Sequence, residues 1–232
     1  MRSILFVMAL VLFAAGPARA EAERLITVTG SGQVEAKPDM ARLSVGVTTE
    51  AKTASQAMAD NSQRMAAVLQ RLRDSGIAAR DMQTRQLAVS PRMDRSGANR
   101  GEPPTISGYG ASNSLNVRIR DLAALGRILD DVLDSGANQF NGLTFGLSEP
   151  TPHLDEARRL AVADARRKAE LYATAAGVTL GQVISVSEPG SAGPQPVARF
   201  EAMAAARDGV PLAEGEVVTS ASVVMIFAID GP

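Results

Sequence analysis

Three times in this chain a helical pattern stops at a glycine and gives way to an alternating run: "DSGIAAR" at residues 74–80, "DSGANQF" at 134–140 and "AAGVTLG" at 175–181. Glycine is the residue that enters positive φ without a Cβ clash, and helices commonly end on it. Gly76, Gly136 and Gly177 are therefore expected to be structural helix-end residues, each returning a helix to a strand. The rival reading is a chemical site used more than once, built on Asp-Ser. Asp134 and Ser135 have no general base beside them, and the third copy has Ala where the others have Ser. What the three copies share is backbone geometry.

Around these joints the periodicity assigns the elements. Ile26, Val28 and Val34 alternate with polar residues, as do Leu43, Val45 and Val47 beyond "AKPD". This pattern predicts a β-hairpin turning at Lys37-Pro38-Asp39. Ala54, Ala57, Met58, Met65, Val68, Leu69 and Leu72 fall at helical spacings between Thr53 and Asp74. "MQTRQLAVSP" and "TISGYGASNSLNVRIR" read as strands around an exposed loop, "MDRSGANRGEPP". Asp121 caps a second helix ending at Gly136. Thr151 is the expected N-cap of a third, with Pro152 at its first position and Asp155 and Glu156 in its first turn. Ala157, Ala161, Ala165 and Ala169 recur along that helix at four-residue spacing, which suits close packing. The predicted class is α+β, a mainly antiparallel sheet with helices packed on it, in the order ββαββαβαββ. Residues 189–215 form a long irregular loop between the last two strands.

The N-terminus gives an address. Arg2, the apolar run Ile4–Ala15 and the small-x-small "ARA" at 18–20 have the form of a cleavable signal peptide over residues 1–20. The domain then spans 21–232, the protein is expected in the periplasm, and no transmembrane span is expected in the mature chain. Cysteine is absent, which excludes disulfides, thiol catalysis and thiolate metal sites. Basic and acidic residues are balanced at 24 and 25, with no Trp and two Tyr. Nucleic-acid binding through a basic face with stacking aromatics is not expected.

Candidate chemistry is sparse. His153 is the only histidine and sits in the first turn of a helix. Asp130, Asp131 and Asp134 are read as a solvated helix face, and "TGSGQVEAKPD" lacks the spacing and Lys of a phosphate loop. No catalytic residue, metal site or cofactor is assigned. Methionine carries a separate reading: Met93 and Met203 fall in expected loops and are the candidate oxidant-sensitive residues. In the 189–215 loop, Phe200 and Met203 form a candidate apolar contact for a partner, the alternative being a plain connector.

The stretches "ITVTGSGQVEAKPDMARLSVGV", "GYGASNSLNVRIRDLAALGRILD", "SGANQFNGLTFGLSEP", "DEARRLAVADARRKAELYATAAGV" and "VVTSASVVMIF", in that order, resemble the SIMPL-domain family. That family includes bacterial periplasmic and outer-membrane-associated antigens and oxidative-stress defence proteins. The resemblance implies an α+β SIMPL domain in the cell envelope, a homo-oligomer, an association with envelope proteins or the outer membrane, and a link to oxidative stress. It supplies no catalytic residues. The resulting expectation is a non-enzymatic protein acting by assembly or binding. The alternatives are an enzyme with a carboxylate or oxygen-ligand site, and a methionine-based oxidant sink.

Overall fold

The computed structural model describes residues 24–94, 96, 103–190, 195–197 and 212–230. The strands are β1 (Leu25–Ala36), β2 (Met40–Ala51), β3 (Met82–Asp94), β4 (Thr105–Ile119), β5 (Gln139–Gly146), β6 (Thr179–Ser187), β7 (Gln195–Val197) and β8 (Glu216–Asp230). The helices are α1 (Ala54–Asp74), α2 (Leu125–Asp134) and α3 (Thr151–Ala176). The fold is α+β, as expected. To the predicted order it adds β7, a three-residue strand inside the stretch read as irregular, which pairs with Glu216–Val218 of β8.

The strands form two antiparallel sheets, each with its own core. One has the order β3-β4-β2-β5. Leu43, Val45 and Val47 of β2 and Leu115, Val117 and Ile119 of β4 alternate onto one face. There they meet Met65, Val68 and Leu72 of α1 and Leu125, Ile128, Leu129 and Val132 of α2. Buried Asn61 pins α1 to this sheet, donating to Val47 O at 2.8 Å and Ala111 O at 3.1 Å. The other sheet has the order β1-β8-β6 with β7 beside β8, and α3 covers one of its faces.

One expectation is overturned here. β1 and β2 are not a hairpin: β1 pairs with β8 without interruption from Leu25↔Ala228 to Ala36↔Val217, while β2 pairs with β4 and β5. Alternation identified both strands correctly, because each buries one face, but the faces belong to different cores. The segment 37–39 is a crossing between sheets. Asp39 N–H donates to Gly146 O at 3.1 Å, and the Asp39 carboxylate accepts from Ser148 N–H at 2.6 Å and Ser148 Oγ at 2.5 Å. Those bonds clamp this crossing to the second one, where β5 leads into α3.

The glycine joints share one geometry. Gly76, Gly136 and Gly177 have φ of 87°, 107° and 71°. The residue after each glycine donates back five positions: Ile77 to Leu72 O, Ala137 to Val132 O and Val178 to Ala173 O, at 3.0–3.3 Å. This is the Schellman closure, and it pairs an apolar residue beyond the helix with one in its last turn. At α3 the N-terminus differs from expectation by one residue. Leu154 N–H donates to Pro150 O, so Pro150 flanks the helix and Thr151 is already helical. Asp155 and Glu156 accordingly lie beyond the first turn and pair with Arg158 and Arg159.

The small residues of α3 face β1. A Cβ on Gly30 would lie 2.0 Å from Ala161 O, and one on Gly32 would lie 2.1 Å from Ala157 O. Helix backbone therefore rests directly on strand backbone. Lys168 Nζ donates to Thr29 O at 2.9 Å, and Ser31 N–H donates to Asp164 at 3.0 Å. These two side chains, four apart on α3, occupy hydrogen-bonding groups of β1 that have no strand partner, blunting that sheet edge.

Candidate functional site

Two surfaces stand out, and both belong to the sheet β3-β4-β2-β5. The first is the face turned away from α1 and α2. The alternation that sends Leu43 and Val45 inward sends Arg42 and Ser44 outward, and on β4 it sends out Asn116 and Arg118. Register aligns them across strands: Arg42 lies opposite Arg118 and Ser44 opposite Asn116. A bulge between Thr84 and Gln86 interrupts the β3–β4 pairing at Arg85. The result is a shallow groove of about 430 Å³ with Arg42, Arg80, Arg85, Arg118 and Asp81 among its lining residues. A second depression of about 320 Å³ shares Ser44, Arg85 and Asn141 with it and continues towards Gln86, Ser114 and Gln139.

Asp81 is the only acid lining the groove among the described residues, and it is buried. Arg120 grips it with two hydrogen bonds, Nη2 to Oδ1 at 3.0 Å and Nε to Oδ2 at 3.3 Å. Arg118 and Arg80 stand further off at 3.8 and 4.0 Å. The Arg120 hydrogen bonds, aided by the charges of Arg120, Arg118 and Arg80, hold the Asp81 carboxyl below its ordinary value.

The second surface is apolar. The core face of the same sheet continues along β3 and β4 beyond the helices. There Leu87 and Ile106 are each 56% exposed and Met93 is 45% exposed, with Val89 beside them. Register puts Met93 opposite Ile106. Met93 was expected in a loop; it lies in β3, because pairing with β4 persists as far as Asp94↔Thr105.

The other sequence-derived candidates are dispersed. Phe200 and Met203 lie outside the described residues. Gly76, Gly136 and Gly177 line neither depression. Asp130 and Asp134 are exposed, whereas half-buried Asp131 joins α2 to α1, meeting Arg71 at 3.4 Å and accepting from Ser75 Oγ at 3.2 Å. His153 is half-buried in the first turn of α3. Among the described residues, no group of three or more His, Asp or Glu side chains is placed to hold a metal ion. The groove residues escaped sequence reading for a definite reason. Outward polar positions are visible in "ARLSVGV" and "LNVRIR", but which strands adjoin is a non-local fact.

A family model described as "SIMPL: Protein of unknown function (DUF541)" matches residues 26–227. The chain belongs to the SIMPL family. It is 42% identical over 210 residues to the 26 kDa periplasmic immunogenic protein of Brucella melitensis biotype 1, covering 88% of this chain and 84% of the relative. It is 32% identical over 161 residues to the uncharacterized protein YggE of Edwardsiella ictaluri, covering 69% and 66%. Against YggE of Escherichia coli K12 it is 30% identical over 161 residues, covering 69% and 64%. Among the described residues, no helix of this SIMPL protein is long and apolar enough to cross a membrane.

Proposed function

We propose that this SIMPL protein is a non-enzymatic periplasmic component that works by self-assembly and serves envelope and oxidative-stress defence. The observation that carries the reading is the uncovered apolar row Leu87, Val89, Met93 and Ile106. Among the described residues it continues a core face with no helix over it, the kind of surface that oligomerisation covers. Export on a leader at residues 1–20 agrees with the periplasmic Brucella relative. Met93 links the row to oxidants: its sulfoxide would place a polar group among apolar ones.

Light scattering on the exported protein tests the reading. The expected result is an oligomer whose mass falls when Leu87 and Ile106 are both changed to Ser, and falls likewise when peroxide oxidises Met93. A strictly monomeric protein across a wide concentration range overturns it.

A further inference from the structure

We propose that the outward face of the β3-β4-β2-β5 sheet is a binding groove for an anionic saccharide, one carrying carboxylate or phosphate groups on a hydroxylated chain. The proposal does not depend on self-assembly.

The first support is charge placed against its own interest. The chain as a whole is nearly balanced. On α3, Arg158, Arg159, Arg166 and Arg167 each meet a carboxylate. The groove departs from that habit. Four arginines line it with one carboxylate, and Arg120 from outside already holds that carboxylate with two hydrogen bonds. Among the described residues, Arg42 and Arg85 have no carboxylate within ion-pairing distance. Arg42 also sits directly across from Arg118, and like charges directly opposite one another on neighbouring strands destabilise a sheet. An anion between the two strands would turn that repulsion into attraction, and guanidinium forks suit planar carboxylate and tetrahedral phosphate oxygens.

The second support is what surrounds the charges. Asn116, Asn141, Gln83, Ser44 and Thr144 line the groove beside the arginines. Side-chain amides and hydroxyls both donate and accept hydrogen bonds, as sugar hydroxyls require. Such groups also contact bare anions, but their number beside the arginines suits a ligand that carries hydroxyls as well as charge. The shared boundary at Ser44, Arg85 and Asn141 makes the two depressions one continuous polar surface. Among the described residues, the lining holds no aromatic side chain on which nucleic-acid bases could stack. Asp81 supports the site by anchoring Arg120 and standing near Arg118 and Arg80.

Calorimetric titration of the exported protein tests this, with oligogalacturonate as the anionic probe. Maltohexaose serves as the neutral control, inorganic phosphate as the bare anion and single-stranded DNA as the competing polyanion. Oligogalacturonate should bind, weaken as salt screens the charges, and lose on the order of tenfold in affinity in the double variant Arg42→Gln, Arg85→Gln. Arg166→Gln, on exposed α3, should leave the affinity unchanged. All three substituted arginines are solvent-exposed, and unchanged circular dichroism establishes that the variants fold. The proposal is overturned by absent binding or by equal affinity for maltohexaose or phosphate. Tighter binding of the DNA overturns it too, as does an affinity that the double variant leaves intact. The scattering mass of the same samples reports assembly separately, so the two readings stand or fall independently.

Discussion

At the scale of single residues, the three helix-end glycines show how much geometry a short word of sequence can carry. Each takes positive φ, and a Cβ built on any of the three meets no atom within 4 Å. Crowding is therefore not the reason for glycine at these places; the backbone conformation is. A Cβ in the left-handed region costs roughly 1–2 kcal/mol whatever the space around it. Gly136→Ala is accordingly expected to lower stability by about 1 kcal/mol, read as a lower urea midpoint with an unchanged slope. No loss would mean that the Schellman closure after α2 is dispensable.

At the scale of elements, the contact of α3 with β1 inverts that logic. Gly30 and Gly32 need no unusual φ; they are glycine because Ala161 and Ala157 backbone lies where their side chains would be. Gly30→Val should lift α3 from the sheet and destabilise by about 3 kcal/mol, the upper part of the range for overpacking. Thermal unfolding should show a large fall in Tm, and a fall no greater than that of Gly136→Ala would mean that the helix readily shifts to accept the side chain. Sequence reading recognised one of the two partners. The alanine ladder from Ala157 to Ala169 was legible as a close-packing face, but the glycines of "TGSGQ" were not read as packing residues. That one seats the other was not legible, because they lie some 130 residues apart and period alone names no partner. The same limit produced the false β1–β2 hairpin and hid the arginine groove. Alternation tells which side chains leave the core, whereas strand order decides which of them meet.

At the scale of the whole molecule, two cores are joined where the chain crosses twice between sheets, and Asp39 holds the crossings together. Its hydrogen bonds from Ser148, side chain first and backbone also, place its carboxyl below the ordinary value despite some opposing desolvation. The sign follows from linkage. A carboxyl depressed in the folded state stabilises the fold above its unfolded pKa of about 3.9, and that contribution is lost as pH falls through the lower folded value. Asp81, depressed chiefly by Arg120, and Asp164, depressed chiefly by Lys168, contribute in the same direction. Acid should thus loosen the crossing, the Arg120 anchor and the α3–β1 edge together. The Asp39 part can be isolated, because Asp39→Asn keeps the shape and removes the charge. Asp39 is exposed, so the variant should cost about 1 kcal/mol near neutral pH after allowing for solvent. That difference should begin to shrink as pH falls below about 4, where the unfolded carboxyl takes up its proton first, and should be gone once the depressed native carboxyl protonates below that. Urea unfolding of both proteins between pH 7 and pH 2.5 measures it; a difference that stays constant across that span would show that Asp39 joins the two cores without its charge.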